Sequence, residues 1–318
     1  MKRFVSGLLA ALMLLGCGGG HKSKAPAAPA TRDFPLIEVP AMITEPEERL
    51  EWLTAHFWDK FTDPGKLYFS DSLTVNGVKI SDIEPQMGVF ATLLQEEPLG
   101  MGQAAVSAWY NRLDAFQTTF PESNMFSEMT ELTSRYLYDP NSPVRNEDLY
   151  LPFVKKLAES SLVDEAARER YAWDARNCSL NQTGTVAADF PFIDTAGKRR
   201  TLHSIKADLL LMIFGNPDCQ ACKEIVETLE SVPELQSLIS SGTLKVVDIY
   251  IDEDIDLWKS KSATYPAKWI NGYDPNYDIR GDRLYNVRAV PSVYLLDADK
   301  RVIFKDSPIE RIFQAILN

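Results

Sequence analysis

Cys219 and Cys222 lie in the string NPDCQAC, residues 216–222, directly after the apolar run ADLLLMIFG. A Cys-x-x-Cys pair can be a dithiol that exchanges with disulfides, half of a metal site, or a structural staple. In exchange chemistry the thiolate is the reactive species, and a cysteine at a helix N-terminus has unpaired N–H groups and the helix dipole to stabilise that anion. CQACKEIVETLE reads as such a helix, so Cys219 is the expected nucleophile, titrating below an ordinary cysteine. Cys222, one turn on, is the expected resolver, placed to displace a mixed disulfide and form the internal one.

The competing chemistries fare worse. Zinc needs about four ligands, and beyond the pair only Cys178 and His203 are on offer, neither at a metal-binding spacing, so no metal is expected. A structural disulfide within Cys-x-x-Cys closes so short a loop that it adds little entropic stabilisation.

The elements that must position the pair are strands. From Asp189 come DFPFID, a turn at TAGK, RRTLHSI, and then LLLMIF, the continuous apolar run expected of a strand buried on both faces. After the Cys-x-x-Cys helix, Gly242 precedes LKVVDIYI, a second buried strand. Alternating strands and helices imply an α/β layer with a parallel centre. VPSVYLLDADKRVIFKD reads as a hairpin, and PIERIFQAILN as a closing helix with Ile309, Ile312, Phe313 and Ile316 on one side. Trp258, Tyr265 and Trp269 read as packing near the active face.

A strand running into Cys-x-x-Cys at a helix start, with a Pro before a later strand, resembles the thioredoxin fold over residues 178–318. GTVAADFPFIDTAGKRRTL, DIDLWKSK and LYNVRAVPSVYLLD are similar to the TlpA and ResA branch of extracytoplasmic thiol-disulfide oxidoreductases. The resemblance implies that Pro291 is a cis-proline beside the dithiol and that the Val290 backbone pairs with an extended substrate segment. No metal or organic cofactor is implied. A peroxiredoxin would need Thr or Ser three residues before its peroxidatic cysteine, where this chain has Asn216.

The chain departs from the family pattern around the pair. Asp218 replaces the common Trp, Ile213 stands where thioredoxins bury an Asp, and Ile225 where ResA-like proteins carry a Glu. The usual proton acceptor for the buried thiol is therefore missing from both expected places, and Glu224 reads as a solvated helix-face residue. Asp218 disfavours a neighbouring thiolate, and Gln220-Ala221 lacks the His that stabilises it in oxidising relatives. A less stabilised thiolate makes a more reducing dithiol, so a reductant is expected, fed by a membrane electron donor.

Residues 35–177 read as an all-α domain preceding this α/β thioredoxin-like part. In TEPEERLEWLTAHFWDKF, Thr44 is the expected cap with Glu47 completing a capping box, and Leu50, Leu53, Phe57 and Phe61 form one apolar stripe. Similar stripes are Val106, Tyr110, Leu113 and Phe116, and Phe126, Met129, Leu132 and Tyr136; DPNSP breaks the second, and two more helices follow. No catalytic constellation is visible there. The domain is similar to one that precedes such oxidoreductases in bacterial lipoproteins, with no activity to carry over.

The chain opens MKRFVSGLLAALMLLGCGGG, two cations and an apolar stretch too short to cross a bilayer, which reads as a secretory signal over residues 1–16. Its LLGC ending resembles a bacterial lipobox, in which Cys17 is lipidated, and multiple acyl chains would hold the protein at a membrane surface. Residues 17–34, rich in Gly, Ala and Pro, are the tether. The expected location is extracytoplasmic, facing the periplasm. Of the remaining cysteines the close pair is expected to bond to itself, leaving Cys178 as an inert thiol.

The net charge is −12, and losing Lys2 and Arg3 with the signal makes it −14, so nucleic acid is not an expected partner. Two functions remain. One is a lipid-anchored oxidoreductase reducing protein or peptide disulfides through Cys219 and Cys222. The other is a binding or assembly lipoprotein whose helical domain acts while the thioredoxin-like part is a docking platform. The missing acids favour the second; the intact pair and Val290-Pro291 favour the first.

Overall fold

Helices come first along the chain, in a computed structural model that describes residues 31–317; the signal segment, Cys17 and most of the tether lie outside the described residues. They are α1 (Pro46–His56), α2 (Ile80–Glu96), α3 (Leu99–Thr119), α4 (Met125–Leu137), α5 (Glu147–Glu159) and α6 (Glu165–Cys178), with a short hairpin of β1 (Thr74–Val75) and β2 (Val78–Lys79) between the first two. The stripes of α3 and α4 are buried as read, with Tyr136 half-buried. Asn146 caps α5 by accepting from the N–H groups of Asp148 and Leu149, and Asp164 caps α6 through Ala167.

Two local expectations are corrected. Thr44 is not the cap of α1; its hydroxyl donates to the Glu45 carboxylate, and Glu45 takes the cap position with no side-chain bond. Pro46 is the cause, because the residue before proline is driven to extended backbone, here φ −69° and ψ 133° at Glu45. Nor does the stripe continue as one helix. α1 ends at His56, and Phe57, Trp58 and Phe61 enter the core from the following turn. Phe57 and Trp58 are consecutive and both buried, which a single inward stripe does not provide, and the turn lets Trp58 stack on Trp109 with ring centroids 4.5 Å apart.

A seven-stranded sheet follows, with β3 (Pro191–Asp194), β4 (Arg199–Thr201), β5 (Leu209–Gly215), β6 (Leu244–Tyr250), β7 (Ile270–Tyr273), β8 (Ser292–Asp297) and β9 (Val302–Phe304) in the order β4-β3-β7-β6-β5-β8-β9. β5, β6 and β7 run parallel at the centre, and the flanking pairs are antiparallel. The helices are α7 (Gln220–Ser231), α8 (Pro233–Ser241), α9 (Ile255–Lys261), α10 (Asp278–Gly281) and α11 (Ile309–Leu317). RRTLHSI is strand only to Thr201; Leu202–Ser204 form a turn of 3-10 helix closed by a Thr201–Ser204 capping box. On one face Leu211, Ile213, Leu244 and Val246 pack with Ile225 and Leu229 of α7 and Ile312 and Phe313 of α11; Met212, Phe214, Val247 and Ile249 line the other. β7 contains Gly272 because β3 comes close: a Cβ there would lie 2.6 Å from the Phe192 ring.

The helical and sheet parts form one compact unit. Six charged side chains join them: Arg145, Glu147 and Asp148 from the helical part, Arg288, Lys305 and Asp306 from the sheet part. Glu147, 2% exposed, has Arg288 Nε at 2.9 Å and Lys305 Nζ at 3.0 Å, and accepts from Asn286 Nδ2 at 2.7 Å. Lys305 Nζ also donates to the Cys178 carbonyl at 2.7 Å, and the Arg288 guanidinium lies 4.1 Å from the Tyr138 ring centroid.

Candidate functional site

The turn between β5 and α7 is built by Asn216. Its carbonyl accepts from the Cys219 N–H at 3.0 Å, its side-chain oxygen accepts from the Asp218 N–H at 2.9 Å, and its amide donates to Asp252 beyond β6 at 2.7 Å. That tie brings Cys219 out of a buried strand into the cap position of α7, in extended backbone, half-buried, with its sulfur accepting from the Cys222 N–H at 3.2 Å. A helix N-terminus is where a sulfur anion meets unpaired N–H groups.

Across from it the Val290–Pro291 peptide is cis, and the Cys219 thiol donates to the Val290 carbonyl at 3.6 Å. The structure thus brings Cys219, Cys222, Val290 and Pro291 together, while Cys17 lies outside the described residues. Cys219 and Cys222 are not bonded to each other in this structure, against the expectation that the close pair bonds to itself, and Cys178 is free as well. Cys178 is fully buried at the end of α6, its thiol pushed far up by burial.

Cys222 differs from Cys219 in access. It is 6% exposed, and burial pushes its thiol far above the ordinary cysteine value, with Cys219 and the charge of Asp248 adding to the rise and the Asn216 N–H opposing it. A thiol of that kind reacts with a neighbour inside the protein and not with a partner in solution. Asp218, expected to weigh against a thiolate, has Lys261 Nζ at 3.7 Å; both side chains are about half exposed, so the pair is a weak one that offsets part of the charge. Glu224 is exposed, as expected, and accepts from Gln220.

Two hollows flank the pair. One of about 300 Å³ is lined by Asn216, Pro217, Cys222, Lys261 and Tyr265. The other, of about 490 Å³, has Ala221, Ile225, Val290 and Pro291 on one side and Pro140 and Pro143 of the helical part on the other. DPNSP, read only as a helix breaker, is thus a wall of a groove beside the dithiol. Trp258 and Trp269 are buried and Tyr265 half-buried, as expected of packing residues. Among the described residues no group of three or more His, Cys, Asp or Glu could hold a metal ion, and no helix is long and apolar enough to cross a membrane.

Asp248 is a site residue that the sequence pattern alone does not single out. It is 2% exposed in the middle of β6, and its Oδ1 has no hydrogen-bond partner. Burial pushes its carboxyl up to about 7. The signal was a lone acid in LKVVDIYI, at the period-2 position shared with Leu244 and Val246, hence on the face packed against α7.

The raised carboxyl has a cost in stability. The unfolded chain ionises Asp248 near ~3.9 and the folded one at about 7, so stability falls as pH rises between those values and stays lost above them. That rise corresponds to ~4 kcal/mol, and burying an amide instead costs about 1–3 kcal/mol. Asp248→Asn is therefore expected to be more stable than the parent by about 2 kcal/mol at pH 8, with the gain gone by pH 4. Urea denaturation at the two pH values reads this, and equal midpoints at pH 8 would show that the ionised carboxylate has a stabilising partner.

The crystal structure of a thioredoxin-like protein from Bacteroides caccae is 32% identical, covers 91% of this chain and 99% of its own, and superposes with a TM-score of 0.76. The C-terminal domain of an uncharacterized protein from Bacteroides fragilis is 36% identical over 43% of this chain and 99% of its own, with a TM-score of 0.42. Secreted protein A of Dictyostelium discoideum is 30% identical over 99 residues, and the chain spans 56% of that relative's length. The first match shows that helices and sheet together share the architecture of a thioredoxin-like protein. Residues 17–179, half of the chain, match the family model described as Domain of unknown function (DUF5106), and the chain belongs to that family.

Proposed function

We propose that this protein is a lipid-anchored thiol-disulfide oxidoreductase that reduces protein or peptide disulfides through Cys219 and Cys222. The observation that carries the reading is the asymmetry of the pair. One sulfur is accessible at a helix cap, against the Val290 carbonyl, and the other is buried one turn away. An accessible thiolate opens a substrate disulfide and forms a mixed disulfide; the buried sulfur then displaces the substrate.

An extended substrate segment lies along Val290 in the groove whose far wall is Pro140 and Pro143, which gives the helical part a role in substrate choice. Acyl chains on Cys17 hold the protein at an extracytoplasmic membrane surface, and a membrane electron donor returns the pair to the dithiol. The uncharged Gln220-Ala221 between the cysteines supports a reducing pair.

The test is the equilibrium of the Cys219-Cys222 pair in glutathione buffers, with turnover of a model protein disulfide. The expected result is reversible cycling at a potential near about −270 mV, in the range of a dithiol reductant. A potential above about −200 mV would reverse the direction of electron flow, and a pair that does not exchange would remove the catalytic reading.

A further inference from the structure

Resolution of a mixed disulfide requires Cys222 to lose a proton, and its thiol is only 6% exposed and held far above the ordinary value by burial. A carboxylate close to the thiol would take that proton directly. Asp248 lies beside Ile213 of β5 and Asn271 of β7 in the sheet register, and with Ile213 it faces α7, the helix that carries Cys222.

Gly215 fixes the approach. A Cβ at Gly215 would lie 2.7 Å from Asp248 Oδ2, so the carboxyl lies against the backbone at this glycine, and only the lack of a side chain leaves it room. The next residue, Asn216, turns its N–H toward the Cys222 thiol. Carboxyl and thiol therefore flank one short stretch of backbone, Gly215-Asn216. Asp248 Oδ1, Asn271 Oδ1 and Nδ2, and Trp269 Nε1 are buried side-chain atoms with no hydrogen-bond partner among the described residues. A carboxylate kept without a cation partner, next to a thiol that must ionise, has a free lone pair for that proton.

We propose that Asp248 is the internal proton acceptor of Cys222. The inference rests on the oxidoreductase reading above. The Cys219 thiolate attacks a substrate disulfide, whose S–S bond breaks as a mixed disulfide forms and the first substrate thiolate leaves. The Cys222 proton passes to the Asp248 carboxylate. The Cys222 sulfur attacks Cys219 Sγ, the internal S–S bond forms, and the bond to substrate breaks. The second substrate thiolate leaves and takes a proton from solvent, so two electrons have passed from the pair to the substrate. Above about 7 Asp248 then releases the proton to solvent, and re-reduction, which frees the Cys222 sulfur as a thiolate, draws one back.

The titratable groups that bear on Asp248 are Cys222 on α7 and Tyr265 after α9. β5 and β7 present Ile213, Gly215 and Asn271, which do not titrate, and Lys261 is engaged by Asp218. Resolution should accordingly rise with pH to a plateau above about 7, where Asp248 is ionised before the thiol gives up its proton.

The test uses the dithiol protein with substoichiometric DTNB, an aromatic disulfide that releases one coloured thiolate on attack by Cys219 and a second on resolution by Cys222. In Asp248→Asn the first phase should be unchanged, and the second at least about tenfold slower at pH 8 with no break near 7. A second phase at the parental rate and pH profile overturns the proposal. Carbon-13 NMR of the Asp248 carboxyl in the unsubstituted protein gives an independent readout. Its titration midpoint should move when the pair is oxidised, and a midpoint indifferent to oxidation overturns the assignment. If the first phase is absent, the oxidoreductase reading fails, and the NMR titration still decides whether Asp248 and Cys222 share a proton.

Discussion

Cys219→Ser is expected to abolish disulfide reduction, a loss of at least about a thousandfold, because a hydroxyl does not ionise in the working pH range and the thiolate is the nucleophile. Cys222→Ser should behave differently. Its Cys219 still has the cap position and still attacks, but the serine cannot displace the product, so the protein accumulates as a mixed disulfide after one turnover. Cys178→Ser should leave both steps untouched, because that thiol is fully buried among the helices. Turnover of a model protein disulfide, with mass spectrometry of the trapped adduct, separates the three variants. Continued turnover by Cys222→Ser, or an adduct on Cys222 in Cys219→Ser, would exchange or cancel the assigned roles.

The site was legible to the extent that it is local. Cys219 and Cys222 are three positions apart, and the strand before them and the helix after them are written in adjacent residues, so pattern alone placed the pair at a helix start. Asp248 escaped because its significance depends on register: only the parallel alignment of β6 with β5 sets it beside Ile213 with its carboxyl against Gly215. An acid expected six residues before Cys219 on its own strand was absent, and the structure supplies a carboxyl from the neighbouring strand. The groove wall at Pro140 and Pro143 escaped for the same reason, being far from Val290 in sequence and beside it in space.

The helical part shows the limits of periodicity in another way. α3 and α4 carry clean stripes that mark them as helices, whereas Pro85 inside α2 obscures its helical pattern. At α1 the proline overrode the capping residues, and the aromatic cluster that follows took its partners from α3 instead of continuing the helix. β7, only four residues with a glycine inside, owes its place to pairing with β6 and β3 and has no strand signal of its own.

The second large effect concerns the charged joint between the two parts. Glu147, Asp148 and Asp306 face Arg145, Arg288 and Lys305, so acids and bases balance, and Glu147 and Lys305 have side chains only 1–2% exposed. Such a cluster offers little net stability as a whole, because desolvation offsets the attraction, but removing Glu147 leaves one excess buried positive charge, with Asp306 for Arg288 and Asp148 at 3.9 Å for Lys305. Glu147→Gln should therefore cost about 3–5 kcal/mol. Replacing Glu147 and Lys305 together by Leu and Met should recover most of that loss, since the double change removes one charge of each sign. Urea denaturation of the single and double variants closes the cycle. Additive losses would show that the two groups do not act as a pair. Because Arg145 belongs both to this joint and to the groove beside Pro291, the single variant should also raise KM for a protein disulfide more than for a small one, even where the fold survives.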